Sequence, residues 1–140
     1  MAVFRDAEHV YRCFGGLFRQ ALEDKEMAQK VGESHLVIRF DYSDPEASIT
    51  VNAKTPPPGV PFAIIEGECD LKPDVRMTMK ADVAHEFWLG KVNLLAALTR
   101  GTMKAQGPIQ SILKLLPAIK PAFDLYKAYL KEIGEENLMA

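Results

Sequence analysis

Residues 70–116 read DLKPDVRMTMKADVAHEFWLGKVNLLAALTRGTMKAQGPIQSILKLL, and the order of signals within this stretch decides the fold. Pro73 and Asp74 form a turn. Val75 to Ala81 then alternates apolar and polar residues, the pattern of a strand with one buried face. Asp82 opens a short helix carrying Phe87 and Trp88, and Gly90-Lys91 ends it. A second short apolar helix runs to Arg100, Gly101 turns the chain, and Thr102 to Gln106 is one more strand. Gly107-Pro108 starts an amphipathic helix, proline being suited to the first helical position.

Upstream, the first thirty residues read as helix. Val3, Ala7, Val10, Tyr11, Phe14, Leu17, Phe18, Ala21 and Leu22 recur at intervals of three and four, which places them on one face. The Gly15-Gly16 pair costs helix stability and predicts a close-packing point or a kink. Gly32 predicts the C-terminal cap. From His35 the period drops to two. Leu36, Ile38, Phe40 and Tyr42 alternate with Val37, Arg39 and Asp41, and beyond a turn at Asp44-Pro45 the alternation resumes through Ile49, Val51 and Ala53. This is a β-hairpin with one dry and one wet face. Thr55-Pro56-Pro57-Pro58-Gly59 is a stiff loop, because proline cannot donate to a ladder, and Pro61 to Cys69 predicts a third strand.

Downstream, Ile109, Ile112, Leu113, Leu116, Ile119, Phe123, Tyr126, Leu130 and Ile133 keep helical spacing. Pro117 and Pro121 each remove an amide donor and clash with the preceding turn. They predict two segments, roughly 108–116 and 118–133, with Gly134 ending the second. Amphipathic helices at both ends of the chain are thus available to cover the apolar face of the sheet. The expected fold class is α+β: a five-stranded, mostly antiparallel sheet covered on one face by helices, a two-layer sandwich forming a single domain over residues 1–140.

Composition narrows the function. The formal charge of −2 gives no basic surface for nucleic acid. No run of about 18 apolar residues exists to span a bilayer. Arg5, Asp6 and Glu8 interrupt the apolar core a secretory signal needs, and the final Asn-Leu-Met-Ala is not a peroxisomal ending. Cys13 and Cys69 are far apart and read as reduced thiols. These features together predict a cytoplasmic protein.

The order in residues 70–116 resembles the sterol-binding domain of the sterol carrier protein type 2 family. The recurring pattern there is PD, strand, short helix with an aromatic, GK, apolar helix, G-x-x-K-x-x-G, and a helix with KL. Pro73-Asp74, Phe87, Gly90-Lys91, Ala97, Gly101, Lys104, Gly107 and Lys114-Leu115 stand at the corresponding places. Pro117 and Pro121 depart from the family's more continuous last helix. The resemblance implies a sterol-carrier-like fold with a hydrophobic tunnel between the sheet and the C-terminal helix. It further implies non-catalytic binding and transfer of a fatty acid, acyl-CoA, sterol or similar lipid, with no cofactor and no metal. Carried over by position, the lining is Phe40, Val51, Met77, Met79, Phe87, Leu94, Leu98, Met103, Ile112, Leu113, Leu116 and Phe123.

The residues themselves leave two readings open. Met77, Met79 and Met103 lie on strands where β-branched residues are preferred, and methionine adapts to irregular shapes. Ala63, Ile65, Gly67 and Cys69 place small side chains on one face of the third strand, which leaves room between layers. Such residues either fill a core or line a pocket, and the resemblance favours the pocket.

Catalytic signals are weak. His85-Glu86 lacks the second histidine of a zinc-protease helix, and a surface helix position is expected for it. His9 and His35 are isolated. Glu66 and Glu68 discourage a thiolate at Cys69. Asp70, Asp74 and Asp82 stand at turns or helix starts, where aspartate caps. A rival reading is a small α+β cone enzyme on an apolar substrate, with Glu66 or Asp41 paired with Tyr42 or Tyr126. Another is an accessory module presenting lipid to a partner enzyme. Lys114, Lys120, Lys127 and Lys131, with Lys104, form a basic stripe that is either a solvated face or a site of transient contact with an anionic membrane surface.

Overall fold

The computed structural model describes residues 3–139; the expected helical start at residues 1–2, and the last residue of the C-terminal tetrapeptide, lie outside it. The N-terminal helical region is not continuous. Asp6 caps α1 (Ala7–Val10), its carboxylate accepting from the His9 amide at 2.9 Å. A π-helical turn, Tyr11–Gly15, leads into α2 (Gly16–Glu23), and Asp24 caps α3 (Lys25–Glu33). The glycine pair is a close-packing point. A Cβ on Gly16 would fall on the ring of Tyr129, and one on Gly15 would meet the Glu66 carboxylate. Gly32 does not cap. It lies inside α3 against Pro61, and the chain leaves the helix through Ser34 and a left-handed His35.

Five strands follow the expected order with tighter limits: β1 (Val37–Ser43), β2 (Ala47–Asn52), β3 (Ala63–Glu66), β4 (Val75–Lys80) and β5 (Met103–Gln106). The sheet order is β3-β2-β1-β4-β5. Three neighbouring pairs are antiparallel, and β1 runs parallel to β4. That parallel pair forces residues 67–74 to cross from the sheet edge to the far side of β1. About eight extended residues reach roughly 26 Å, enough to pass two strands. The crossing covers part of the face expected to be wet. Thr50 and Arg39 are buried beneath it, with the Cys69 thiol 3.3 Å from the Thr50 hydroxyl and Glu68 3.1 Å from Arg39.

Register corrects the third strand. Ile65 pairs with Thr50 and Ala63 with Asn52, so Ala63 and Ile65 face the crossing segment and away from the helices. Ile64 and Glu66 occupy the helix side, where Glu66 meets Arg19 at 2.9 Å. A shift of one residue in a strand exchanges its two faces.

Between β4 and β5 lie α4 (Ala81–Trp88) and α5 (Leu94–Arg100), the latter closed by Gly101 in the left-handed conformation. Gly107 is required by contact: at φ +110° its missing Cβ leaves space filled by the Asp74 carbonyl. Asp74 itself joins β1 to β4, its amide donating to the Val37 carbonyl and its carboxylate accepting from the Val37 amide at 2.9 Å. The C-terminal helices are α6 (Ile109–Ile119) and α7 (Pro121–Glu132). The break falls at Lys120 and not at Pro117. Pro121 begins α7, where its missing amide costs nothing, while Pro117 stays within the end of α6. Gly134 follows α7 with positive φ, as expected.

Candidate functional site

The sheet's inner face and the helices do not close on each other completely. A cavity of about 110 Å³ remains between β1, β2, β4 and β5 beneath, and α2, α3, α4 and α6 around and above. Its wall is almost wholly apolar. Phe40, Val51, Met77, Met79 and Met103 rise from the sheet, Phe87 and Leu94 come from the connecting helices, and Ile112 and Leu116 from α6. The roof is loosely held. No residue of α6 is fully buried; its apolar stripe is half-buried, packed on the rim of the core and bordering the cavity.

Three of the twelve residues carried over by resemblance lie elsewhere: Leu98, Leu113 and Phe123 are not part of the wall. On α6 the inward stripe runs Ile112, Leu115, Leu116, Ile119, the i, i+3, i+4, i+7 series of one face. Leu113 sits about 100° around from Ile112 and misses it. Phe123 stands one layer back, its ring edge-on to Phe87 at 5.6 Å. Leu98 is half-buried on α5, beyond the inward Leu94. The expected lining took only Phe40 and Val51 from the N-terminal half and missed the helices there. Leu17, Phe18, Ala21, Met27 and Val31 close one flank, and Ile38, Tyr42, Phe62, Ala84, Trp88 and Ala122 complete the wall. The helical spacing of Leu17 and Ala21, and the strand alternation of Ile38, Phe40 and Tyr42, carried that signal.

A model of the SCP-2 sterol transfer family matches residues 14–120. The chain belongs to this family. Similar folds among solved structures include sterol carrier protein 2 from Yarrowia lipolytica in its apo form, at 17% identity and TM-score 0.64, covering 87% of this chain and 98% of that one. Sterol carrier protein domain 2 of Helicoverpa armigera aligns at 23% identity and TM-score 0.61, over 81% of this chain and 89% of that one. The stereoselective inverting sec-alkylsulfatase from Pseudomonas sp. matches 66% of this chain at 19% identity and TM-score 0.52, but only 14% of its own length is involved. At such identities the likeness is one of fold. No curated protein matches the chain.

Within the SCP-2 chain, three of the residues that carried the resemblance outside the cavity have backbone roles. Gly101 and Gly107 supply conformations and close approach, and Asp74 holds the parallel strands together. Lys54 at 2.8 Å is the main cause that keeps the Asp74 carboxyl below its ordinary range, helped by the Val37 amide.

Two histidines are not where expected. His85 is buried, not superficial, because α4 turns that side toward α7. Its Nδ1 lies 2.6 Å from the Tyr126 hydroxyl and its Nε2 2.8 Å from the Leu138 carbonyl. A carbonyl only accepts, so Nε2 carries the hydrogen and Tyr126 donates to Nδ1. Burial lowers the His85 pKa below 6.5. His9 is likewise not isolated. It meets the Glu135 carboxylate, whose Oε2 lies 3.9 Å from the Cys13 thiol. Burial, then the Glu135 charge, pushes that thiol up to about 12, so it remains an unreactive thiol.

His9, Cys13 and Glu135 place ligand-type atoms within 4.8 Å of one another. The hydrogen-bond polarity opposes a metal there. The Arg5 amide donates to His9 Nδ1 at 3.1 Å, so the ring hydrogen sits on Nε2, the atom that faces Glu135. An ion would need that nitrogen bare. His35 is exposed and alone, as expected.

The enzyme constellation is not assembled. Asp41 points to the outer face, bonded to Arg39 at 2.9 Å and Arg76 at 2.8 Å, while its neighbour Tyr42 points into the cavity wall. Glu66 is held by Arg19 at the sheet edge, and Tyr126 serves His85. Among the described residues, no helix is long and apolar enough to cross a membrane.

Proposed function

We propose that this SCP-2 chain binds and transfers a hydrophobic ligand, such as a fatty acid, acyl-CoA, sterol or similar lipid, without catalysing a reaction on it. The observation that carries the reading is the apolar cavity beneath a helix with no fully buried residue. Burial of alkyl surface contributes about 25 cal/mol per Å², so such a wall holds a lipid without a charged contact. Phe40, Val51, Met77, Met79, Phe87, Leu94, Met103, Ile112 and Leu116 are the proposed contacts.

The cavity is small beside a long chain. A dry cavity of about 150 Å³ accommodates benzene, and the present 110 Å³ is less. A long acyl chain therefore requires α6 to lift from the sheet, widening the cavity into a tunnel. Pro117, which removes one amide bond from α6, eases that motion. The exposed Lys104, Lys114, Lys120, Lys127 and Lys131 suit transient contact with an anionic membrane.

The test is native mass spectrometry of the purified chain with co-purified lipid, followed by displacement of a fluorescent acyl probe. Protein that emerges empty and ignores fatty acids, acyl-CoA and sterols would overturn the reading. A second reading, an accessory module that presents lipid to an enzyme, is favoured by the sec-alkylsulfatase, in which a similar fold forms a small part of a larger chain. Stable association with a partner enzyme would support it.

A further inference from the structure

A second recess, of about 300 Å³ and open to solvent, lies along the outer side of the seam between α3 and α6. Lys30 and Glu33 at the end of α3, with Ser111 and Lys114 on α6, form its polar lining. Sequence neighbours tie it to the apolar cavity. On α3, Val31 lines the cavity and Lys30 the recess; on α6, Ile112 lines the cavity and Ser111 the recess. Adjacent helical residues point about 100° apart, so one edge of each helix serves both spaces. Leu115 belongs to both walls, which makes this half-buried side chain the partition between them.

The recess is charged where the cavity is apolar. Lys30 and Lys114 are exposed, and among the described residues neither makes an ion pair. Glu33 is the one carboxylate in the lining, so two ammonium groups against it leave one formal positive charge. A lysine stem lies along apolar surface while its head stays free to turn, which lets each ammonium reach a group at the mouth. Resting on the proposed lipid binding, we infer that the recess is a head-group site. It favours a lipid whose head is a compact anion, a carboxylate or a phosphate, over a neutral lipid of equal length. The tail occupies the cavity, Leu115 swings aside, and the head emerges between Lys30 and Lys114. The apolar wall holds the tail, and the two lysines choose the head.

Laurate, dodecyl phosphate and dodecanol test this, because they share one chain length and differ at the head. Their affinities as monomers are measured at about pH 8, where both acidic heads are ionised. A fluorescent acyl probe is displaced from the wild-type chain, from Lys30→Gln/Lys114→Gln, and from Lys72→Gln/Lys80→Gln. The last variant loses as much charge, but from exposed positions on the outer face of the sheet, away from the recess. No vesicle is present, so contact of the lysine stripe with a membrane does not enter. The affinity of each anion relative to dodecanol should fall about fivefold or more in Lys30→Gln/Lys114→Gln, the worth of two partly exposed ion pairs. It should stay within about twofold of wild type in the outer-face control, where salt screens the lost charges. The ratio cancels any change in the probe's own affinity. A larger fall for laurate marks a carboxylate as the preferred head, a larger fall for dodecyl phosphate marks a phosphate, and either supports the site. Unchanged ratios in Lys30→Gln/Lys114→Gln overturn the inference. So do equal falls in the control, which reveal the general field of the protein and not a local site. If dodecanol binds wild type and neither anion does, the inference alone falls. If none of the three binds, lipid binding falls and takes the inference with it.

Discussion

The hydroxyl of Tyr126 donates to Nδ1 of His85 across 2.6 Å, joining α7 to α4 in a region from which solvent is excluded. The opposite ring nitrogen donates to the Leu138 carbonyl, so one imidazole fastens two parts of the C-terminal segment beside the cavity. The unfilled space under α6 is thus bordered by a firmly held α7.

Tyr126→Phe should cost about 1–3 kcal/mol, because it strips a buried acceptor of its donor and adds no compensating contact. Urea unfolding monitored by tryptophan fluorescence checks this, with a lower midpoint and an unchanged slope. A change within about 0.3 kcal/mol would show that the bond contributes nothing net.

His85 also sets a pH dependence. Its folded pKa is depressed below 6.5 by burial, so the unfolded chain binds the proton more readily. The stability tied to neutral His85 is fully present above pH 6.5 and is lost as pH falls through the lowered folded pKa. Between about pH 7.5 and about pH 5.5, above most carboxylate titrations, the unfolding midpoint should decline. His85→Gln should flatten that decline, and an equal slope in both proteins would refute the assignment.

The glycine pair makes a contrast. Gly16→Ala drives a methyl into the ring of Tyr129 and should cost about 2 kcal/mol or more. Gly15→Ala meets only the end of the Glu66 side chain, which can swing away, and alanine's better helix propensity offsets the shift by about 0.5–1 kcal/mol. Thermal or urea unfolding of the two variants should rank them clearly. Tyr129→Ala should reduce the penalty of Gly16→Ala in a double-mutant cycle.

Filling the cavity should separate binding from folding. Ile112→Trp projects a larger ring from α6 into the apolar space and should weaken acyl-probe binding at least about tenfold while changing stability by no more than about 1–2 kcal/mol. Undiminished probe binding would place the ligand elsewhere.

Amide exchange should find α6 the less protected element. With no residue fully buried, its amides should exchange well before those of β1 and β4, and added laurate should slow them. Protection of residues 109–119 equal to the sheet's, with or without ligand, would rule out a lifting roof.

Much of the fold was legible because it is local. Strand alternation and the glycines at 101 and 107 act within a few residues and appeared close to where they were read, whereas Asp82, expected at a helix start, lies inside α4 and accepts from the distant Val3 amide, and the capping aspartates are Asp6 and Asp24. The faces of β3 were not legible. Ala63 and Ile65 were assigned inward from composition, but the ladder to Thr50 and Asn52 turned them outward. His9 looked solitary and His85 superficial because their partners, Glu135 and Tyr126, stand 126 and 41 residues away. Pro117 read as a breaker, yet it only forfeits one bond near the end of α6.

The amino-acid order by itself determined the succession of helices and strands and the apolar character of the inner face, since periodicity and turn chemistry depend on neighbours along the chain. Only the tertiary structure decided that the inner face is left partly unfilled, that the N-terminal helices share in its wall, and that the buried Tyr42 hydroxyl is left unpaired. Empty volume and hydrogen-bond pairing are properties of surfaces brought together from distant positions, and no stretch of sequence contains both sides of such a gap.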